Sequence, residues 1–148
     1  MRLQSIVSTS EESATGTDDE YVVLGGGHVG SEVARHLRAA GNAVTVVDET
    51  HDPTDLPGVR GDPTDRRTLD RAGITDATTV VVAMPDDGRS LLVAGLVRAR
   101  FGVADVRVLV RTPDRCDLVA DAGYEPICAT TALSEAVVAD LERLREVA

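Results

Sequence analysis

Lysine and tryptophan are missing from this 148-residue chain, which has one phenylalanine, two tyrosines and two cysteines. Each shortage closes off a class of function. Nucleic-acid binding asks for a basic stripe to meet phosphates and rings to stack on bases, and a chain with 15 basic residues against 25 acids and so few aromatics supplies neither. Cys116 and Cys128 stand apart from one another, with no CxxC and no nearby histidine, which argues against a structural zinc site and a disulfide framework. Two small buried hydrophobes are expected there. No apolar run approaches the roughly 18 residues that span a bilayer, and the opening MRLQSIVSTSEESATGTDDE has no signal-peptide core. A soluble cytoplasmic protein without membrane insertion is the expectation.

The missing lysine gives the net charge of −10 a second meaning. All 15 basic residues are arginine, and aspartate outnumbers glutamate 16 to 9. Hydrated carboxylates of this density suit molar salt, where screening over a few ångströms removes their mutual repulsion. The composition therefore points to a halophile, and the acidity describes the solvent more than a partner.

What is present is an alternation. Residues 1–19 are rich in Ser, Thr, Glu and Asp, cannot repay the entropy of ordering, and are expected to form a disordered acidic tail ahead of a single domain over 20–148. From Tyr21 onward short apolar runs predict strands near 21–24, 43–47, 58–60, 79–84, 106–110 and 126–128. Amphipathic stretches predict helices near 28–40, 63–72, 87–101, 113–121 and 131–146. Alternation of this kind builds a parallel sheet covered on both faces, here a six-stranded Rossmann-like, doubly wound α/β sheet in the order 3-2-1-4-5-6. Gly41 is placed as the left-handed cap of the first helix, and Asp62-Pro63 and Thr112-Pro113 as caps followed by proline at the first helical position. The first helix is expected to bury Val29, Val33 and Leu37 and to turn Arg35 and His36 outward. The connection ETHDPTDLP, 49–57, is too broken by proline for a stable helix.

The stretch YVVLGGGHVGSEVARHLRAAGNAVTVVDE carries the chemistry. Gly25, Gly27 and Gly30 follow a strand, open a helix, and precede Asp48 at the end of the next strand, the spacing of a dinucleotide site. Gly25 permits the sharp turn, Gly27 has no Cβ to block a pyrophosphate, and Gly30 lets the helix approach the sheet. Main-chain N–H groups at the helix start then face an anion. His28 either reaches a phosphate as the imidazolium or stands exposed and neutral. Asp48 accepts hydrogen bonds from ribose hydroxyls, whereas a 2′-phosphate would meet Asp48, Glu49 and Asp52, so NADP is disfavoured. NAD, NADH, ATP, ADP and AMP share that ribose and are not separated by it.

With GVRGDPTDRRTLDRAGI, TVVVAMPDDGRSLLV and VRVLVRTPDRCDLVADAGYEPICATTAL in view, the chain resembles the RCK N-terminal (TrkA-N) domain of potassium channel and transporter regulators over 21 to about 140. The resemblance implies an adenine nucleotide at the carboxyl ends of strands one and four. Gly25, Gly27, His28, Val29 and Gly30 would hold its phosphates, Asp48 and Glu49 the ribose, and Gly61 with Asp62 the adenine edge. Ala83, Met84 and Pro85 would line the opposite wall, and Arg111 would face the phosphates or lie at the surface. Asp62 reads equally as a helix cap ahead of Pro63, and Asp86 and Asp87 as caps. The chain departs from the family in having histidine at 28 where arginine is frequent, a short 49–57 connection, and no ligand-sensing domain after the last helix.

The function that follows is a nucleotide-binding regulatory domain, with NAD or NADH ahead of ATP, ADP or AMP, acting on a separate membrane potassium transporter or channel subunit from the cytoplasmic side. The apolar positions of 89–101 and 131–144 suit either burial or assembly into a homodimer or higher oligomer. The alternative is a small NAD-dependent oxidoreductase. It is disfavoured because His28, His36 and His51 all fall in the first third, away from where a nicotinamide would lie, so no catalytic residue is assigned. No metal ligand set is assigned either.

Overall fold

The structure, a computed structural model, describes residues 19–25, 27–52 and 54–147. The expected tail lies outside them except for Asp19. In chain order the elements are β1 (Glu20–Leu24), α1 (Gly27–Ala39), β2 (Ala43–Asp48), β3 (Gly58–Arg60), α2 (Arg66–Arg71), β4 (Thr79–Val82), α3 (Asp87–Phe101), β5 (Asp105–Val110), α4 (Cys116–Asp121), β6 (Glu125–Cys128) and α5 (Ala129–Val147). Single 3₁₀ turns at Ile74–Asp76 and Pro113–Arg115 precede β4 and α4. The six strands form one parallel sheet in the order β3-β2-β1-β4-β5-β6, the order the alternation predicts.

The valine-rich strands are the physical reason for two cores. Successive side chains point to opposite faces, and a central parallel strand must be apolar on both. In β1, Val22 and Leu24 join the cluster that contains Leu69 of α2, Val93, Ala94 and Val97 of α3, and Val119 of α4. Val23 joins the other cluster, with Ala34, Val44, Val46, Leu56 and Val81. Three helices thus cover one face, while α1 and the segment around Leu56 cover the other. No helix forms between β2 and β3 among the described residues, as the prolines of 49–57 foretell.

Four local expectations are corrected. The stripe that α1 buries is Gly30 and Ala34, with Val33 and Leu37 only half-buried and Val29 44% exposed. The cause is at Gly30: a Cβ there would stand 2.0 Å from the Gly25 carbonyl oxygen, so the helix axis lies too close to the first turn for larger side chains to share that contact line. The Asp62-Pro63 pair does not open α2. Asp62 Oδ1 accepts the Thr64 N–H at 2.9 Å and the Thr64 hydroxyl at 2.8 Å, closing a local turn, and Asp65 caps the helix instead by accepting from Arg67 N–H. Pro113 opens a 3₁₀ turn that the Thr112 side chain does not cap, and α4 starts only at Cys116. Finally, Cys116 and Cys128 are not two independent hydrophobes; they are half-buried and joined in a disulfide, with their Cα atoms 6.1 Å apart. Pairing of β5 with β6 sets Cys128 beside Val110, and the turn after β5 then delivers Cys116 to it.

Candidate functional site

The chain leaves β1 at Gly25 with φ +94°, a left-handed backbone that a side chain resists. A Cβ at Gly25 would also meet the Ala83 carbonyl oxygen at 2.8 Å, so glycine is required twice over. Gly27, the first residue of α1, is different: its φ is +50° and a Cβ would meet nothing within 4 Å. The space left bare at Gly27 opens onto a cavity of about 520 Å³, within the range of roughly 300–1,000 Å³ typical of small-molecule sites.

That cavity lies at the carboxyl ends of β1, β2, β4 and β5, where the connections leave the sheet on opposite faces. The structure brings Gly25, Gly27, His28, Val29, Asp48, Glu49, Ala83, Pro85 and Arg111 together around it, together with Thr50. The remaining candidates stand outside its lining. Gly30 is buried under Gly25, and Met84 is 3% exposed behind the wall, its carbonyl oxygen accepting from Arg111 Nε at 3.3 Å. Gly61 donates its N–H to the Asp48 carbonyl oxygen at 3.0 Å. Asp62 is engaged by Thr64 and pairs with Arg89 at 3.4 Å, and both partners hold its carboxyl below the usual carboxylate range, Thr64 foremost.

Asp48 ends β2 at the cavity edge, and its Oδ2 accepts the Thr50 N–H at 3.1 Å and the Thr50 hydroxyl at 2.7 Å. These bonds fix the carboxylate at the mouth. Thr50 was not singled out by the sequence, although an acid two residues ahead of a threonine is the pattern of such a turn. A smaller groove of about 250 Å³ continues past Asp48 between Ser31 and the 49–57 segment, and its lining includes Asp52 and Asp55. The loop after Glu49 therefore walls the cleft and does not fill it. In this wall His51 is buried, with Nε2 2.8 Å from the Leu56 carbonyl oxygen, whereas His28 and His36 are exposed.

On the β5 side the exit of the strand is held by a residue read only as a cap. Asp86 is the N-cap of α3, accepting from Arg89 N–H at 3.0 Å. Asp87 reaches across the sheet end, its Oδ1 accepting the Arg111 N–H at 3.0 Å and its Oδ2 the Thr112 N–H at 2.9 Å. Burial pushes the Asp87 carboxyl up, but the two amides, the Thr112 hydroxyl and the Arg115 guanidinium outweigh it and hold the group below its ordinary value.

The residues fit a nucleotide. Bare main chain at a helix N-terminus, a fixed carboxylate at the end of the second strand and a guanidinium on the far wall are the donor and acceptor set for phosphate and ribose. Among the described residues no group of His, Cys, Asp or Glu has the arrangement of a metal site, and no helix is long and apolar enough to cross a membrane.

Comparison with known proteins agrees with this geometry. The TrkA-N domain family matches residues 21–130. The Trk system potassium uptake protein TrkA of Streptomyces coelicolor is 31% identical over 118 residues, covering 74% of this chain and 52% of that protein. A TrkA homolog of Methanothermobacter thermautotrophicus is 28% identical over 113 residues, covering 72% and 52%. The chain thus spans about half the length of the curated relatives it matches. Among solved structures, the GsuK channel bound to NAD superposes with a TM-score of 0.72 at 21% identity over 87% of this chain and 24% of that one. GsuK bound to ADP gives 0.72 at 22% identity over 86% and 35%. The AMP-bound Kef CTD of Shewanella denitrificans gives 0.69 at 20% identity over 85% and 82%. At these identities the structures share the fold.

Proposed function

The chain belongs to the TrkA-N domain family, and from that premise we propose that it is a regulatory domain that binds an adenine nucleotide and reports its occupancy to a potassium transport system through a separate membrane subunit. The observation that carries the reading is the cavity at the carboxyl ends of the central strands, open at Gly27 and edged by the Thr50-anchored Asp48. Phosphates lie against the main-chain amides at the start of α1, and Asp48 takes the ribose hydroxyls. Gly61 and Asp62 take the adenine edge, the Asp62 carboxylate staying bound to Thr64 and Arg89. The ligands named for the structural neighbours, NAD, ADP and AMP, all carry the ribose and phosphate that this site accepts. NAD or NADH stands first among them, ahead of ATP, ADP and AMP. A 2′-phosphate would face Asp48 and Glu49 and, beyond them, Asp52 and Asp55, so charge disfavours NADP.

Occupancy matters only if it favours one of two states of the protein. The surface that reads the state is α5, whose Leu133, Val137, Leu141 and Leu144 are all more than half exposed. A second copy of this chain covers that stripe, and the dimer meets the transporter from the cytoplasmic side. The role proposed for the site is binding, with no catalytic residue assigned: of the three histidines only His28 lines the principal cavity, and it stands at the phosphate end.

Calorimetry in molar KCl with NAD, NADH, ATP, ADP, AMP and NADP tests the reading. One site per chain is expected for adenine nucleotides without a 2′-phosphate. Asp48→Ala should weaken it at least tenfold, the loss of one charge-assisted contact of about 1.5–3 kcal/mol. NADP binding as tightly as NAD would refute the ribose assignment.

A further inference from the structure

Among the described residues Arg111 is the one guanidinium that lines the cavity, whose other charged residues, Asp48 and Glu49, are both negative. A second phosphate brought into that space needs a cation, and the position of Arg111 decides whether it meets one. The backbone from which the side chain extends is held in place. Both oxygens of Asp87, a residue only 7% exposed, are spent on the backbone N–H groups of Arg111 and Thr112, at 3.0 and 2.9 Å. Asp87 is also the first residue of α3, so it bolts the exit of β5 to the helix that follows β4. Arg111 Nε is then held at 3.3 Å by the Met84 carbonyl oxygen, which leaves its terminal nitrogens without a partner among the described residues.

We infer that Asp87 is a positioning residue that aims Arg111 at a second phosphate and so gives the site its preference for nucleoside diphosphates over monophosphates. This rests on the nucleotide reading above and goes beyond it by naming what selects among the nucleotides. Asp87 touches no ligand; it acts through the backbone of Arg111. A residue held at its backbone N–H by Asp87 and at its side-chain Nε by Met84 loses less freedom on meeting an anion than a free arginine, so part of the ordering for a second phosphate is already in place.

The test compares ADP with AMP by calorimetry on the full chain in molar KCl. The parent should bind ADP about ten times more tightly than AMP, the scale of one charge-assisted contact. Arg111→Ala should abolish that ratio, and Asp87→Asn, which keeps Arg111 in the chain, should bring it to within about threefold of unity. A purely structural role for Asp87 would weaken ADP and AMP together and leave the ratio intact, and that result would overturn the inference. Should Asp87→Asn fail to fold, the parent alone decides. The Arg111 Nε–H resonance should move on saturation with ADP and stay in place with AMP, and equal movement with both would overturn the inference. A parent that binds neither nucleotide refutes the underlying site. A parent that binds both with no preference, at a site sensitive to Asp48, refutes only the role of Asp87.

Discussion

The two longest helices, α3 and α5, both carry apolar residues around much of their surface, and the fold treats them in opposite ways. Helix α3 buries Val93, Ala94 and Val97 completely and, of its large apolar residues, leaves only Leu92 exposed. Helix α5 buries nothing and exposes Leu133, Val137, Val138, Leu141 and Leu144. Apolar content does not explain the difference; connection does. Helix α3 joins β4 to β5, and a right-handed crossover between parallel strands must return across the sheet. Helix α5 follows the edge strand β6 and, among the described residues, does not connect two strands of the sheet. A helix inside a βαβ unit has its partner supplied by topology, whereas α5, outside any such unit among the described residues, does not.

The comparison is broken most forcefully by charge. Val97→Asp puts an unpaired carboxylate into the core and is expected to cost about 4 kcal/mol or more, enough to remove the cooperative melting transition of a domain of this size. If that variant melted like the parent, α3 would not be the core helix described. Next in size is the cystine that ends one residue before α5. It closes a loop of sequence separation 12, and reducing it should cost about 3 kcal/mol by chain entropy, read as a lower melting temperature that returns on reoxidation. An unchanged melting point would mean that the two thiols are unlinked in solution.

Acid then tests the tie between α3 and β5. The Asp87 carboxyl is depressed in the folded protein, so its contribution is present above its unfolded value near 3.9 and is lost as pH falls through the folded value. The melting temperature should therefore hold down to about pH 4 and fall below it, with a shallower fall in Asp87→Asn. Parallel acid curves for the two proteins would contradict the assignment. The smallest change in stability is expected on α5. Leu141→Asp together with Leu144→Asp should alter domain stability by no more than about 0.5 kcal/mol each, as substitutions on a solvated face do. The same pair should convert a dimer to a species of 15.6 kDa in light scattering. A dimer that survives both charges would move the assembly surface away from this stripe.

Much of this was legible in the sequence because it is local. Runs such as TVVVAM and VRVLV mark buried parallel strands without reference to anything distant, and Gly25, Gly27 and Gly30 with Asp48 give the turn, the opening and the acid at the next strand's end. The structure places these strands within one or two residues of expectation and gathers most of the candidate residues around one cavity. What was not legible depends on contacts made far along the chain or on competition between equal signals. The cystine needs the β5–β6 register, and Asp87 finds its acceptor role with amides 24 and 25 residues away. Asp62 alone was read as the cap, but a threonine two residues on drew its carboxylate into a turn, and the helix is capped by Asp65. The buried stripe of α1 was shifted because the Gly25–Gly30 approach, not side-chain size, sets how that helix sits.

The most direct measurement follows the backbone amides of Gly25, Gly27, Gly30 and Thr50 by nuclear magnetic resonance while ADP is added in molar KCl. The account predicts that these resonances move together and saturate together, and that Asp48→Ala shifts their midpoint to at least tenfold more ADP. Saturable movement elsewhere in the domain with these four amides still, or no movement anywhere, would contradict it.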